Sequence, residues 1–314
     1  MKINHILFVS PMYRDIKSIL ENKGFDDRKE VRYRSEQGVT TEDYRWADSL
    51  VTFNRPENFQ FENIKWVHSL GAGIDKILKR EKWKDDVVLT RTICSFGQKI
   101  SEYCLSYILR DVQNHNMYES FQSKKEWKPI APTPLRKKQV VIFGTGVIGQ
   151  EVAKVLTSFG VTVFGVSLSG KAKEPFTGIF SSEDSNYDHY LARADYVINT
   201  MPLTEKTRSM FNTNFFHKCS QTCFINIGRG ESVHYESLLK ALNSGQIRKA
   251  VLDVFEEEPL PTDDLLWNHP NVIITPHISA VTTPEEGVEC FIDTLHKIEN
   301  EAPLPNKVDL TKGF

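Results

Sequence analysis

The sequence has no long apolar run: none of its hydrophobic stretches approaches the ~18 residues that a membrane-spanning helix needs. The stretch from Ile6 to Val9 gives way at once to Ser10-Pro11, too short for the core of a secretory signal, and reads as a buried strand. Cysteine is scarce and odd in number, with Cys94, Cys104, Cys219, Cys223 and Cys290 scattered along the chain. Cys219 and Cys223 do not form a CxxC pair, so neither a disulfide framework nor a metal site is expected, and the five read as reduced thiols of a cytoplasmic protein. An excess of one charge is also missing. With 39 Lys and Arg against 41 Asp and Glu, the net charge is -2 and no like-charge tail is visible, which argues against nucleic acid as a partner. Neither an internal repeat nor a low-complexity tract is present.

What is there is ordinary globular composition, 40% hydrophobic and 25% charged over 314 residues, enough for about two domains. Short apolar runs alternate with helix-length amphipathic stretches, the pattern of βαβ units and parallel sheets. Strands are expected at His5–Ser10, Leu50–Phe53, Lys65–Ser69 and Val87–Arg91, then at 139–143, 161–166, 196–200, 223–227, 250–254 and 272–275. Helices are expected from Ser101 to about Tyr118, over Val147–Ser158, over Tyr235–Asn243 with Gly245 as its C-terminal stop, and from Pro284 to about Asn300. The division that follows is a cofactor domain over 100–282 and a second domain built from 1–99 and completed by 283–314.

Gly144-Thr145-Gly146-Val147-Ile148-Gly149 fits GxGxxG, follows a β-branched strand and opens a helix, which is the context a dinucleotide-binding turn requires. Gly144 permits the tight turn, Gly146 the approach of a pyrophosphate, and Gly149 the packing of helix on strand. The helix N-terminus then meets the phosphate charge. An acid that grips the ribose 2′-hydroxyl is expected ~20 residues on. In its place stands Ser167-Leu168-Ser169-Gly170-Lys171, two hydroxyls and an ammonium suited to a 2′-phosphate, so NADP is the expected cofactor with NAD as the alternative.

In open parallel sheets, ligands bind beyond the carboxyl ends of the strands. The residues there are the glycine loop, Ser167 to Lys171, Met201-Pro202, Ile227-Gly228-Arg229-Gly230, Asp253 to Glu258, and Pro276-His277. This set suits reduction of a keto acid. Arg229 can hold a carboxylate and the neighbouring carbonyl by charge-assisted bonds, with flanking glycines leaving room. His277 is the natural proton donor to the carbonyl oxygen. Among three consecutive acids Glu256, Glu257 and Glu258, the last is chosen as the partner of His277 because Pro259 fixes the backbone after it.

These residues bring the chain to a family it resembles, the D-isomer-specific 2-hydroxyacid dehydrogenases. The resemblance is carried by Ser69-Leu70-Gly71-Ala72-Gly73-Ile74-Asp75, Ser101-Glu102-Tyr103, the glycine loop, Met201-Pro202-Leu203-Thr204, Asn226-Ile227-Gly228-Arg229-Gly230, Leu252-Asp253-Val254-Phe255 through Glu258-Pro259, and Thr275-Pro276-His277. It implies an α/β fold with a Rossmann cofactor domain and a flavodoxin-like substrate domain, and a homodimer formed through the former. It implies the catalytic set Arg229, Glu258 and His277, a contact of Asp253 with the nicotinamide amide, and a substrate carboxylate received near Leu70 by backbone N–H groups of Ala72 and Gly73. The Ser-x-Ser stretch is similar to that of NADP-preferring reductases, whose usual Arg is Leu168 here. The expected partner is a small 2-keto or 2-hydroxy acid. Alternatives are a non-enzymatic NAD(P)-sensing protein of the same fold, and a formate- or phosphonate-type dehydrogenase.

Overall fold

Runs such as Ile6-Leu7-Phe8-Val9 and Val140-Val141-Ile142-Phe143 are apolar at every position, the requirement of a strand covered on both faces. The computed structural model, which describes residues 1–25, 27–78 and 83–310, places both runs in interior strands of parallel sheets. The chain divides into two units, Met1–Phe96 with Val281–Phe314, and Gly97–Ala280. The borders fall at 96/97 and 280/281, where the sequence reading sets 99/100 and 282/283.

The first unit contains β1 (His5–Val9), α1 (Tyr13–Asn22), β2 (Glu30–Arg34), α2 (Thr41–Trp46), β3 (Ser49–Thr52), β4 (Trp66–Ser69), α3 (Asp75–Leu78) and β5 (Val88–Arg91). The strands are parallel in the order β2-β1-β3-β4-β5, the flavodoxin-like order. Alternate residues feed two cores. Leu7, Val9, Leu50, Val67 and Leu89 face one side, and Ile6, Phe8, Val51 and Trp66 face the other. The C-terminal helix Pro284–Glu299 closes the second side with Val288, Phe291 and Leu295, starting from a Thr283/Glu286 capping box.

The second unit carries α4 (Phe96–Val112, its first residue just before the border), α5 (His115–Ser123), β6 (Gln139–Phe143), α6 (Val147–Ser158), β7 (Thr162–Ser167), β8 (Gly178–Ser181), α7 (Asp188–Leu191), β9 (Tyr196–Asn199), α8 (Thr213–Phe216), β10 (Thr222–Asn226), α9 (Tyr235–Asn243), β11 (Ile247–Leu252) and β12 (Val272–Ile274). Its seven strands are parallel in the order β12-β11-β10-β9-β6-β7-β8, a Rossmann sheet whose order reverses between β6 and β9.

The structure departs from the sequence reading in two places. β2, Glu-Val-Arg-Tyr-Arg, and β8, Gly-Ile-Phe-Ser, are edge strands of mixed polarity and carry no strand signal of the kind seen in the centre. The single helix from Ser101 to Tyr118 is two helices, broken at Asn114, whose φ of 59° leaves the helical region. The expected helix Tyr235–Asn243 is present, and Gly245 stops it with φ 78° just after the C-cap Ser244. Among the described residues, no helix is long and apolar enough to cross a membrane, and no group of His, Cys, Asp or Glu is placed to hold a metal ion.

Candidate active site

The glycine loop links β6 to α6 at the reversal of strand order. Gly144 has φ +97°, and a Cβ there would stand 2.5 Å from the Thr200 hydroxyl. A Cβ on Gly149 would overlap the Gly144 carbonyl, so α6 can sit this close to β6 only with glycine. Gly146 differs from both: a Cβ on it would meet nothing within 4 Å. It is the N-cap of α6, with no side chain capping the helix, so the N–H groups of the first turn face open space together with the exposed Val147. Space and free N–H groups at a helix N-terminus fit a pyrophosphate. Thr145 and Ile148 are half-buried.

At the end of β7, the Ser167 hydroxyl oxygen accepts from Gly170 N–H at 3.3 Å and the Ser169 hydroxyl oxygen from Lys171 N–H at 3.4 Å. Both hydroxyls keep their own hydrogens to donate. Leu168, Ser169 and Lys171 are exposed. Lys173, which sequence reasoning passes over, donates from Nζ to the Thr145 carbonyl at 3.1 Å and ties this loop to the glycine loop.

Two buried asparagines organise the next two loops. Asn199 Nδ2 donates to Asn226 Oδ1 at 2.8 Å and to the Ser232 hydroxyl at 2.9 Å, while Asn199 Oδ1 accepts from Met201 N–H and Asn226 Oδ1 from Gly228 N–H. The Arg229 carbonyl accepts from Asn226 Nδ2 and from the Ser232 hydroxyl. Arg229 is thus anchored through its backbone, and its Nη1 donates to the Gly228 carbonyl at 2.7 Å. Gly228 and Gly230 do not simply make room for a ligand. A Cβ on Gly228 would stand 2.7 Å from the Met201 carbonyl, and one on Gly230 would run into the backbone of Phe255. Met201 and Ile227 are buried and belong to the cores, whereas Pro202 is exposed.

β10, β11 and β12 are neighbours in register, Asn226 opposite Leu252 and Leu252 opposite Ile274. Each is followed three residues on by Arg229, Phe255 and His277. The turn after β12 is built on Asp253, which is fully buried. Its carboxylate accepts from the Thr275 hydroxyl at 2.5 Å, Ile278 N–H at 2.8 Å and Ser279 N–H at 2.8 Å. Tyr103 reaches the same Thr275 hydroxyl at 2.6 Å. This frame holds His277 at φ 54°, an uncommon conformation for a non-glycine residue. His277 Nδ1 lies 3.0 Å from Glu258 Oε2, and Glu258 Oε1 accepts from Phe255 N–H at 3.1 Å. Glu256 and Glu257 are exposed. The His277 side chain is 45% exposed against 21% for Glu258, so the ring is open to solvent while its partner is shielded. Asp253 fills its carboxylate with the turn that presents His277, a buttressing role that sequence reasoning does not foresee.

In the first unit, Leu70 is not a ligand-facing residue. It is fully buried, its N–H donates to the Thr52 carbonyl and its carbonyl accepts from the Thr282 hydroxyl. The following residues are half-exposed. The buried Ser69 hydroxyl oxygen accepts from Gly71 N–H at 3.2 Å and lies 3.0 Å from the Gly71 carbonyl and 3.3 Å from that of Gly73. Among the described residues, the N–H groups of Ala72 and Gly73 donate to no protein acceptor.

Comparison with known proteins agrees with this layout. Residues 105–279 match the model of the D-isomer specific 2-hydroxyacid dehydrogenase NAD-binding domain. A glyoxylate/hydroxypyruvate reductase A of Serratia proteamaculans is 32% identical over 281 residues, covering 87% of this chain and 89% of that one. A D-isomer specific 2-hydroxyacid dehydrogenase from Xanthobacter autotrophicus Py2, solved with NADPH and MES, superposes with a TM-score of 0.89 at 29% identity over 100% of both chains. An NADPH-dependent glyoxylate/hydroxypyruvate reductase from Sinorhizobium meliloti, solved with NADP and sulfate, gives 0.87 at 28% identity, covering 99% of this chain and 100% of that one. With a cofactor-domain match over more than half its length and relatives above 30% identity across most of it, the chain belongs to the D-isomer-specific 2-hydroxyacid dehydrogenase family.

Proposed function

We propose that the protein reduces small 2-keto acids of the glyoxylate and hydroxypyruvate type to D-2-hydroxy acids with NADPH. The observation that carries this reading is the His277–Glu258 pair at 3.0 Å, presented at the carboxyl edge of the Rossmann sheet two strands from Arg229. Bound NADPH supplies the hydride. Gly146 and the open N-terminus of α6, with Val147 beside them, would hold its pyrophosphate, and Ser167, Ser169 and Lys171 its 2′-phosphate. Arg229 holds the substrate carboxylate and the neighbouring carbonyl oxygen through its guanidinium fork. Protonated His277 gives a proton to the carbonyl oxygen from Nε2, because Nδ1 is engaged by Glu258. Glu258 orients the ring and balances its charge. In the first unit, the N–H groups of Ala72 and Gly73 receive the substrate carboxylate.

The test is kcat/KM for glyoxylate and hydroxypyruvate with NADPH and NADH at one ionic strength. We expect a ten- to hundredfold preference for NADPH, since one well-formed charge-assisted bond is worth ~1.5–3 kcal/mol. Equal values would remove the serines and Lys171 from the 2′-phosphate, and no turnover of any 2-keto acid would sink the reading. We further propose a homodimer formed through the second unit, where α5 has no buried residue and Trp127 is 97% exposed. Light scattering of the purified chain tests this, and a monomer overturns it.

A further inference from the structure

In the loop after β4, the carbonyls of three successive residues, Gly71, Ala72 and Gly73, are drawn away from the N–H groups of Ala72 and Gly73. Those of Gly71 and Gly73 turn to the buried Ser69 hydroxyl, and that of Ala72 accepts from Arg91 Nη1 at 3.2 Å. Peptide planes fixed in this way leave the Ala72 and Gly73 N–H groups as the loop's outward face, a small nest of positive partial charge.

Arg91 is the unusual member of this arrangement. It ends β5, and its backbone is clamped from both sides by the buried Asn306: Arg91 N–H donates to the Asn306 carbonyl at 3.1 Å, and Asn306 Nδ2 donates to the Arg91 carbonyl at 2.9 Å. The Asn306 amide is itself set by the Thr294 hydroxyl at 2.8 Å. The guanidinium is half-buried, and desolvation holds its pKa below the usual arginine value. Among the described residues no carboxylate pairs with it, and its one side-chain bond goes to the Ala72 carbonyl. A half-buried cation with no acid beside it is costly unless an anion arrives.

We propose that Arg91 is a positioning residue for the carboxylate of the 2-keto acid: it fixes the Ala72–Gly73 peptide so that the Gly73 N–H faces the anion beside that of Ala72, and it adds a positive charge behind them. The inference rests on the function proposed above and assigns a residue to its substrate subsite. Arg91 acts through the loop, so its removal weakens substrate binding and leaves the chemical step intact.

The experiment compares wild type with Arg91→Met, Arg91→Lys and Arg91→Gln in steady-state reduction of glyoxylate by NADPH. Arg91→Met is expected to raise KM for glyoxylate at least tenfold, the equivalent of ~1.4 kcal/mol. Its kcat at saturation should stay within threefold of wild type and its KM for NADPH within twofold. Arg91→Lys should recover most of the loss because the charge remains. Wild-type KM should also rise more steeply with salt than that of Arg91→Met. If Arg91→Met does not fold, Arg91→Gln, which can still donate to the Ala72 carbonyl but carries no charge, is held to the same tenfold threshold. A folded neutral variant with KM within twofold of wild type overturns the inference, as does a fall in kcat at unchanged KM, or a lysine variant as weak as the neutral ones. An active wild type with an unaffected neutral variant refutes this inference alone; a wild type inactive on every 2-keto acid refutes it together with the proposed function.

Discussion

Gly146 and Gly149 stand three residues apart in the same loop, and the same substitution should act on them in opposite ways. Gly146 has φ -72° and ψ -167°, a conformation open to any residue, and a Cβ there meets nothing within 4 Å. Gly146→Ala should therefore fold. Loss of glycine at an N-cap costs about 0.5–1 kcal/mol. The smaller entropy of the unfolded chain returns about 0.4–1 kcal/mol. The terms nearly cancel, and Tm should move by less than about 2 °C. The new methyl group nevertheless stands in front of the N–H groups that the pyrophosphate needs. Loss of one charge-assisted bond, ~1.5–3 kcal/mol, predicts a tenfold to hundredfold rise in Kd for NADPH. Gly149→Ala differs because its Cβ overlaps the Gly144 carbonyl, and α6 must then leave β6. This variant should lose several degrees in Tm as well as its affinity. Thermal melting and fluorescence titration with NADPH, run on both variants, decide the matter. A Gly146→Ala protein with unchanged Tm that binds NADPH within twofold of wild type would show that the pyrophosphate does not lie against this residue.

His277→Asn should lower kcat by ~10²–10⁴ with KM for NADPH little changed; a variant within threefold of wild type removes His277 from the chemistry. Glu258→Gln keeps the shape and removes the charge, so kcat for keto-acid reduction should fall while Tm holds, and equal activity would point to Glu256 or Glu257. Arg229→Lys should lose most of its kcat/KM for the keto acid, because a point charge cannot replace a planar fork; retention of more than half would refute bidentate binding. His68 supplies a test of the first unit. It is fully buried against the Thr90 hydroxyl at 2.8 Å, and burial pushes its pKa down from 6.5 to about 3. The unfolded chain takes up this proton first, so the stability is full above pH ~6.5 and drains away as pH falls toward 3. By pH 5 the loss is about 2 kcal/mol. Urea unfolding of wild type and His68→Gln at pH 7.5 and pH 5.0 should show that gap closing by this amount; a gap that does not change with pH refutes it.

What could be read from the sequence was whatever depends on local spacing. The apolar runs of β1, β3, β4 and β6 announce central strands, and Gly144, Gly146 and Gly149 announce the turn, because each signal lies within a few consecutive residues. The edge strands β2 and β8 lack that signal, since half their surface is not buried and their side chains need not be apolar. Buried polar residues were harder still. Nothing near Asn199 or Asn226 marks them as the pair that sets the Met201 and Gly228 turns, because their partners come from different strands. Asp253 belongs to the recognised motif, and only the fold shows its carboxylate bound to the turn under His277. Leu70 shows the converse: it lies inside a recognised motif but faces the core. The glycines flanking Arg229 were recognised, yet their necessity comes from the backbones of Met201 and Phe255.

The second unit is one unbroken stretch of chain, whereas the first is assembled from both ends of it. Trp66 stacks on Phe291 at 5.3 Å, Phe8 meets the same ring at 4.9 Å, Lys29 pairs with Glu299 at 2.6 Å, and Asn306 clamps Arg91. On the ribosome the first strands emerge early but wait for their last covering helix until nearly all of the chain has been made. Gly97–Ala280 can close in the meantime. The order of synthesis is thus reversed in the order of completion: β1 to β5 are made before Gly97–Ala280 but completed after it. Until then the side of the young sheet that carries Trp66 and Phe8 has α1 with Ile16 and Leu20 but lacks the ring of Phe291.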